Sequence, residues 1–400
     1  MPRLFYGNYD FEHELADPVG WQAPLVVRRL LAERASAWIA LADDGDLIWT
    51  PEEIPDSFWN ELAEAGLPRV RGVTDLGALA MDNIELVPWG WSRRAVALAR
   101  LTATPSACAR SNIGRENTHA DGVGVKQSNV TSPPSEAAVR AGNSRAWSFA
   151  LEQELDVALP GAARLERLDD LATIVTKSAQ HWSDRPDEHR WVIKANFGMA
   201  ARERILGRGV LLSASHQGWL QRRFAADGCV FFEPWLPIRE EVGLQFTIPP
   251  RVVGTPRLEG ITPLLTDAQG GYRGSRFSRD EAVPEHWQPA VEIALRAAER
   301  LQQLGYFGPL GIDAAKHELL TGEVVLRPLQ DINARFTMGR LALGFQSLLR
   351  ANETGVWQHL MAEDISTADS SQGRPVRIIP TTPKIVGGQP TQHRSAVVIG

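Results

Sequence analysis

Gly305-Tyr306-Phe307-Gly308-Pro309-Leu310-Gly311-Ile312-Asp313 opens, and Asp331-Ile332-Asn333-Ala334-Arg335 closes, the stretch whose reading decides the fold. Residues 311–315 and 324–326 read as strands. Leu319-Leu320-Thr321-Gly322-Glu323 between them holds the glycine that a short hairpin wants. Eighteen residues separate the two aspartates (331 − 313 = 18). Folding at Thr321-Gly322 therefore sets Asp313 opposite Gln330, one residue from Asp331. Strand side chains alternate, so Asp331 and Asn333 share a face. Two carboxylates and an amide oxygen then converge. All three are hard oxygen ligands, of the kind that hold Mg²⁺ against nucleotide phosphates. A solvated hairpin edge would use the same residues, so the pattern needs support from the rest of the chain.

Four hundred residues imply two or three domains. Apolar residues make up 44% and charged residues 22%, as in soluble globular enzymes. The formal charge, 42 − 48 = −6, gives no electrostatic reason to expect nucleic acid or an anionic membrane as a partner. Cys108 and Cys229 form no metal spacing, and so few thiols suit a reducing compartment. Met1-Pro2-Arg3-Leu4-Phe5 lacks the apolar core of a signal peptide, and no apolar run reaches membrane-spanning length. The expected location is therefore cytoplasmic. Thirteen Trp against four Tyr is unusual and reads as core packing.

Residues 1–104 alternate helix and strand signals and are expected to form a small α/β domain. Helices are read over 24–36, 51–65 and 92–101, and strands over 37–42, 46–49 and 84–89. Residues 105–138 are rich in Ser, Asn, Gly and Pro and read as a linker or surface loop. Signals resume over 139–365. They include a helix at 144–155, strands at 190–195, 229–233 and 241–248, several turns and short strands over 249–278, and an amphipathic helix at 287–304 stopped by Gly305. Residues 366–400 read as a tail with short β segments at 376–379 and 396–399.

Three more pieces fit one design with the acidic hairpin. Trp191-Val192-Ile193-Lys194 is a strand ending in Lys, followed by a small-residue loop that contains Gly198. A lysine there can neutralise phosphates while the loop folds over them. It is not a Walker loop, because no Gly-Lys-Ser/Thr opens a helix. Val230-Phe231-Phe232-Glu233-Pro234-Trp235-Leu236 is an apolar strand running into a hinge, whose backbone can meet a purine edge. Glu240, seven residues after Glu233, can accept from ribose hydroxyls. Asn143-Ser144-Arg145 is a capped helix start carrying a cation.

In this order the four pieces resemble the ATP-grasp superfamily of carboxylate–amine ligases, over residues 139–350. The resemblance implies an α+β fold: two α+β subdomains clasping ATP, preceded by a small Rossmann-like α/β domain. It implies ATP and Mg²⁺ as cofactors. Asp313, Asp331 and Asn333 would be metal ligands. Arg145, Lys194, Gly198, Glu233, Leu236 and Glu240 would bind nucleotide, with Lys177 as a substitute for Arg145 and Glu241 for Glu240. Arg335 would be the catalytic cation. This chain departs from the family where Asp331 replaces the commoner Glu and Arg145 the commoner Lys, and where a single Gly stands in the loop after Lys194.

The activity so implied joins a carboxylate, amino-acid or peptide-like, to an amine through an acylphosphate. Partners would be small molecules, with a homodimer as the expected assembly. Arg273 and Arg276, in a glycine-rich stretch over 267–279, could hold a substrate carboxylate. Alternatives are an ATP-grasp phosphotransferase and a catalytically silent nucleotide-binding regulator. Nothing in the sequence supplies a Ser/His/Asp elbow or a two-histidine metal spacing on a helix.

Overall fold

Alternating apolar residues at the start of the chain build the first sheet. In the computed structural model, which describes residues 1–17, 19–79, 84–102, 133–182, 185–198, 203–279, 282–319, 321–361 and 376–400, strand β1 (Arg3–Tyr6) pairs in parallel with β2 (Leu47–Trp49) and β4 (Glu85–Pro88). Adding β3 (Arg71–Val73) beside β2 gives the order β3-β2-β1-β4. Leu4 and Tyr6 bury on one face with Leu47, Val73 and Leu86, while Phe5 buries on the other beside Trp38. Parallel strands need crossovers. Helices α1 (Phe11–Ala16) and α2 (Leu25–Arg34) lie between β1 and β2, and α3 (Asp56–Glu64) lies between β2 and β3. Helix α4 (Arg93–Thr102) follows β4. The apolar run expected as a strand over 37–42 is instead a buried 3₁₀ segment, Ala35–Leu41. A short, continuously apolar run carries no period that separates the two.

Most of the expected linker (its residues 105–132) lies outside the described residues, as do Cys108, residues 199–202 after Lys194, Leu320, and the first ten residues of 366–400. After it come α5 (Glu136–Gly142), α6 (Arg145–Glu154), α7 (Leu171–Trp182) and α8 (Ala214–Asp227). They accompany a four-stranded antiparallel sheet of β5 (Ala163–Leu165), β6 (Arg190–Lys194), β7 (Arg204–Arg208) and β8 (Val230–Pro234), in the order β5-β8-β6-β7. Trp191, Ile193, Val230 and Phe232 pack one face of this sheet onto Leu171, Val175 and Leu220. The two-residue period then leaves Val192, Lys194, Phe231 and Glu233 on the opposite face.

That face looks toward an eight-stranded antiparallel sheet. Its strands are β9 (Ile238–Ile248), β10 (Arg257–Thr266), β11 (Tyr272–Ser278), β12 (Gly308–Glu318), β13 (Val324–Asn333), β14 (Thr354–Met361), β15 (Arg377–Pro380) and, beyond the small hairpin β16 (Ile385–Val386) and β17 (Gln389–Pro390), β18 (His393–Ile399). The order is β13-β12-β9-β10-β11-β14-β18-β15. Helix α9 (Gln288–Gln303) buries Ala290, Ala294, Ala297, Ala298 and Leu301 in the core formed with Val242, Leu244, Phe246 and Ile248. Helix α10 (Met338–Gly344) follows β13. The turns and short strands expected over 249–278 are two long strands, interrupted in sequence by Gly260 and Pro263. Both lie in β10, where a register shift falls between Leu258 and Gly260 and Pro263 stands opposite Val242 within the ladder.

The residues expected as a tail complete the large sheet. Ile379, Val397 and Ile399 are buried, and the hairpin after β15 is fastened to α2. Arg29 donates to the carbonyls of Val386 (2.8 Å), Gln389 (2.9 Å) and Pro390 (2.7 Å). Glu33 accepts the backbone N–H groups of Gln392 and His393 at 2.9 and 3.0 Å. Among the described residues no helix is long and apolar enough to cross a membrane.

Candidate active site

The acidic hairpin closes where the sequence expects it, with Gly322 at φ 82°. Below the turn Glu318 pairs with Val324, and Ala315 with Arg327. The register then shifts, and Asp313 stands directly opposite Asp331 rather than Gln330. Pro328 lies in the shifted segment. It has no N–H to give a ladder, which suits an irregularity on an edge strand. The bulge thus brings the carboxylates of neighbouring strands into register, with Asn333 two residues further along the same face.

On β9 the residues of this face are Glu241, Gly243 and Gln245, and Asp313 pairs with Gly243. A Cβ at Gly243 would lie 3.6 Å from Oδ1 of Asp313 and 2.8 Å from the Gln245 amide, so glycine keeps the floor low beside the carboxylate. Above the floor lies a cavity of about 580 Å³. Its lining includes Asp313, Asp331, Asn333, Arg335, Glu241 and Lys194. Arg145, Gly198 and Arg204 reach it from the four-stranded unit, and Tyr9, Glu12, Arg34 and Trp89 from the parallel unit. Two α+β units thus face each other across a cleft, with a small parallel unit in front. This is the arrangement that the resemblance to the ATP-grasp superfamily implies.

No family model matches the sequence. A segment of 108 residues is 34% identical to the "[Butirosin acyl-carrier protein]--L-glutamate ligase" of Niallia circulans, covering 27% of this chain and 24% of that protein. The match therefore spans about a quarter of the relative's length. Among solved structures, N5-carboxyaminoimidazole synthetase from Staphylococcus aureus covers all of this chain and 94% of its own, at 10% identity and a TM-score of 0.49. Biotin carboxylase from Campylobacter jejuni, described as a β,γ-ATP complex, aligns with 86% of this chain and 84% of its own at 14% identity and a TM-score of 0.49.

The acidic residues of the cleft repel one another. Burial pushes the Asp313 carboxyl well above the usual carboxylate range, and the charges of Asp331 and Glu241 push it further. Burial likewise raises Glu241, whose Oε2 is shielded from water and has no hydrogen-bond partner. Asp331 accepts from Nη1 of Arg145 at 3.1 Å, and Asn333 Oδ1 accepts from Nη2 of Arg335 at 2.9 Å. Among the described residues no three His, Cys, Asp or Glu side chains converge tightly enough to hold an ion by themselves. The donor set is instead two aligned carboxylates and an amide oxygen beside Glu241, one of whose oxygens has no partner. It fits a divalent cation that takes its other ligands from phosphate and water, as Mg²⁺ does.

Opposite the acids, Lys194 donates to Oε2 of Glu233 at 2.7 Å, and Arg327 of β13 reaches the same oxygen at 2.7 Å. Arg327 also meets Glu152 of α6 at 3.3 Å. Burial pushes the Glu233 carboxyl up, but the charges of Arg327 and Lys194 overcome that push and hold it well below the usual range. Burial pushes the Lys194 ammonium down, with Glu233 opposing. The short bonds favour the charged form of both partners. Glu152, on the longer bond, is raised by burial against the opposing charge of Arg327. Because the folded-state pKa of Glu233 is depressed, its contribution to stability is full above the unfolded carboxylate value of about 4.3 and is lost as pH falls below it. Urea midpoints measured against pH should therefore fall less steeply below about pH 4 in Glu233→Gln than in the unaltered chain. Parallel curves would mean that the ion pair carries no pH-dependent stability.

Of the residues singled out from sequence, Arg145, Lys194, Gly198, Asp313, Asp331, Asn333, Arg335 and Arg273 meet at the cavity. Four do not. Glu240 is exposed and turned to the other face of β9, where its Oε2 lies 3.3 Å from Nε2 of His286. Strand alternation puts Glu241 in the cleft instead. Glu233 spends its carboxylate on Lys194 and Arg327 and is absent from the cavity lining, as is Leu236 in the hinge. Arg276 is exposed on β11 and outside the lining, while Arg273 pairs with Asp267 at 3.1 Å.

Sequence reasoning missed Arg204, Arg327 and the role of Glu12. Arg204 lies over the Trp235 ring, 5.4 Å from its centroid, and donates to the Gln269 carbonyl. Arg327 did leave a signal, since it is a lone cation inside the apolar run Val324-Val325-Leu326-Arg327-Pro328-Leu329. Glu12 accepts from Nε of Arg335, and the same guanidinium lies over the Trp89 ring at 5.4 Å.

Proposed function

We propose that this chain is an ATP- and Mg²⁺-dependent ligase that joins a carboxylate to an amine. The observation that carries the reading is the register of Asp313 with Asp331 on one face of the large sheet, opposed across the cavity by Lys194, Arg145 and Arg204. Acids on one wall and cations on the other suit a polyphosphate with its metal. Asp313, Asp331 and Asn333 would hold the ion, which when bound neutralises charge on the phosphates. Arg145 and Lys194 would take phosphate oxygens, and Glu241 would serve the ribose or the ion in place of Glu240. Arg335 would face the transferring phosphoryl group.

The chemistry then follows in two steps. An oxygen of the substrate carboxylate attacks the γ-phosphorus of ATP, and ADP leaves with the electron pair of the broken P–O bond. The amine nitrogen next attacks the acyl carbon of the resulting acylphosphate. The C–N bond forms, phosphate departs, and the nitrogen loses one proton. Such transfers need positioning and charge neutralisation more than covalent help from the protein. The partial relative's name supplies an amino acid, L-glutamate, as the first donor to try.

The reading is tested by following ADP release from ATP and Mg²⁺ over amino acids and small peptides, singly and in pairs. Release that requires two partners and yields an amide supports it, and failure to bind ATP overturns it. Asn333→Ala removes one donor and should weaken ATP·Mg²⁺ binding about tenfold, the worth of one hydrogen bond to a charged group. Titration calorimetry with and without Mg²⁺ checks this, since equal affinity in the variant would remove Asn333 from the ion site.

A further inference from the structure

The parallel unit contributes a wall that the ATP-binding reading does not use. Glu12, on α1, is 4% exposed and lines the cavity. Its Oε1 accepts from Arg335, and its Oε2 is shielded from water with no hydrogen-bond partner. An ionised carboxylate can accept several hydrogen bonds, and a buried oxygen left without one is costly. Two aromatic rings, Tyr9 and Trp89, stand on the same wall with centroids 4.7 Å apart. A carboxylate would bring no hydrogen for the spare oxygen. A nitrogen donor suits the spare oxygen, and Tyr9 and Trp89 offer apolar surface for the carbon that bears it. The site also lies against Arg335, the residue proposed to face the reacting group.

We infer that Glu12, with Tyr9 and Trp89, forms the subsite for the attacking primary amine, and that Glu12 accepts the proton this amine loses. The inference rests on the ligase reading above and adds to it a second substrate's place and a base. In the step, Oε2 of Glu12 takes a proton from the bound ammonium, and the freed nitrogen lone pair forms the C–N bond while the carbonyl π pair moves onto oxygen beside Arg335. The oxygen lone pair then re-forms the carbonyl, and phosphate leaves with the C–O pair and takes up the second N–H proton of the adduct.

The alternative role for Glu12 is to seat Arg335 alone, and the choice of nucleophile separates the two. Hydroxylamine is largely uncharged at neutral pH and traps acylphosphates without a base, whereas alkylamines arrive protonated. ADP release would be followed with each of the twenty common amino acids as carboxylate donor. The nucleophile would be either hydroxylamine or a primary amine, from methylamine to 2-phenylethylamine. In Glu12→Gln the amine-dependent rate should fall at least ten times further than the hydroxylamine-dependent rate. Glu12→Asp, which keeps the charge, should recover part of that preference and serves if the first variant does not fold. An equal fall for both nucleophiles, or a fall for neither, overturns the inference. So does an unaltered chain that turns over with hydroxylamine but with no amine, although the ligase reading then stands. Silence with every donor and both nucleophiles removes the ligase reading itself.

Discussion

Arg335→Met should lower ligase turnover by about 100- to 1000-fold while changing ATP affinity only a few-fold. That is the range seen when one preorganised donor to a developing oxyanion is removed. The arginine is held for this role by four groups. It donates through Nε to Glu12, through Nη2 to Asn333 Oδ1 at 2.9 Å and through Nη1 to the Phe336 carbonyl at 2.8 Å, and it stacks on Trp89. A cation fixed by that many partners need not reorganise as charge develops. Methionine keeps much of the length and the contact with Trp89 but supplies no donor. Single-turnover ADP formation, measured beside ATP binding, separates the effects. A rate within threefold of the unaltered chain would make Arg335 a strut between units and not a catalytic group.

Arg327→Met should cost about 3–5 kcal/mol of stability, the range for removing one partner of a buried ion pair. The Arg327 side chain is 5% exposed and those of Glu152 and Glu233 are 4% and 11%. Without the guanidinium, Glu233 keeps Lys194, but Glu152 loses the partner at 3.3 Å. The loss should show in the urea midpoint at constant m-value. Converting Glu152 to leucine in the same chain should restore part of it, since the stranded charge is the main source of the cost. A loss below 1 kcal/mol would mean that water reaches the ion pair.

The comparison of sequence and structure divides along range. The Thr321-Gly322 turn, the strand carrying Lys194 and the Ser144 cap of α6, which accepts from Trp147 N–H at 3.2 Å, are local and were legible. The pairing of Asp313 was misplaced by one residue, because a hairpin counted from its turn does not reveal a register shift further along. Glu240 and Glu241 differ only in phase. The ladder to β12, which the sequence does not print, decides between them. Glu12 and Arg335 lie 323 residues apart and Glu233 and Arg327 lie 94 apart, so no spacing rule joins them. The C-terminal strands read as short β pieces, but nothing in their sequence says that β18 pairs with β14 and β15 with β18.

The fastening of the last hairpin to α2 bears on the order in which the protein is made. Helix α2 brings Leu30 and Arg34 to the cavity, and Arg29 and Glu33 of the same helix take their partners from residues 386–393. A nascent chain on the ribosome therefore holds a helix whose polar anchors wait for more than 350 residues of later synthesis (386 − 33 = 353). The parallel unit can collapse early around Phe5 and Trp38 with Val27, Leu31 and Ala32 of α2, but Arg29 and Glu33 lack their backbone partners until the far hairpin arrives. A ribosome stalled before residue 386 would thus carry a chain with an acidic hairpin already folded and one side of its cavity still unset.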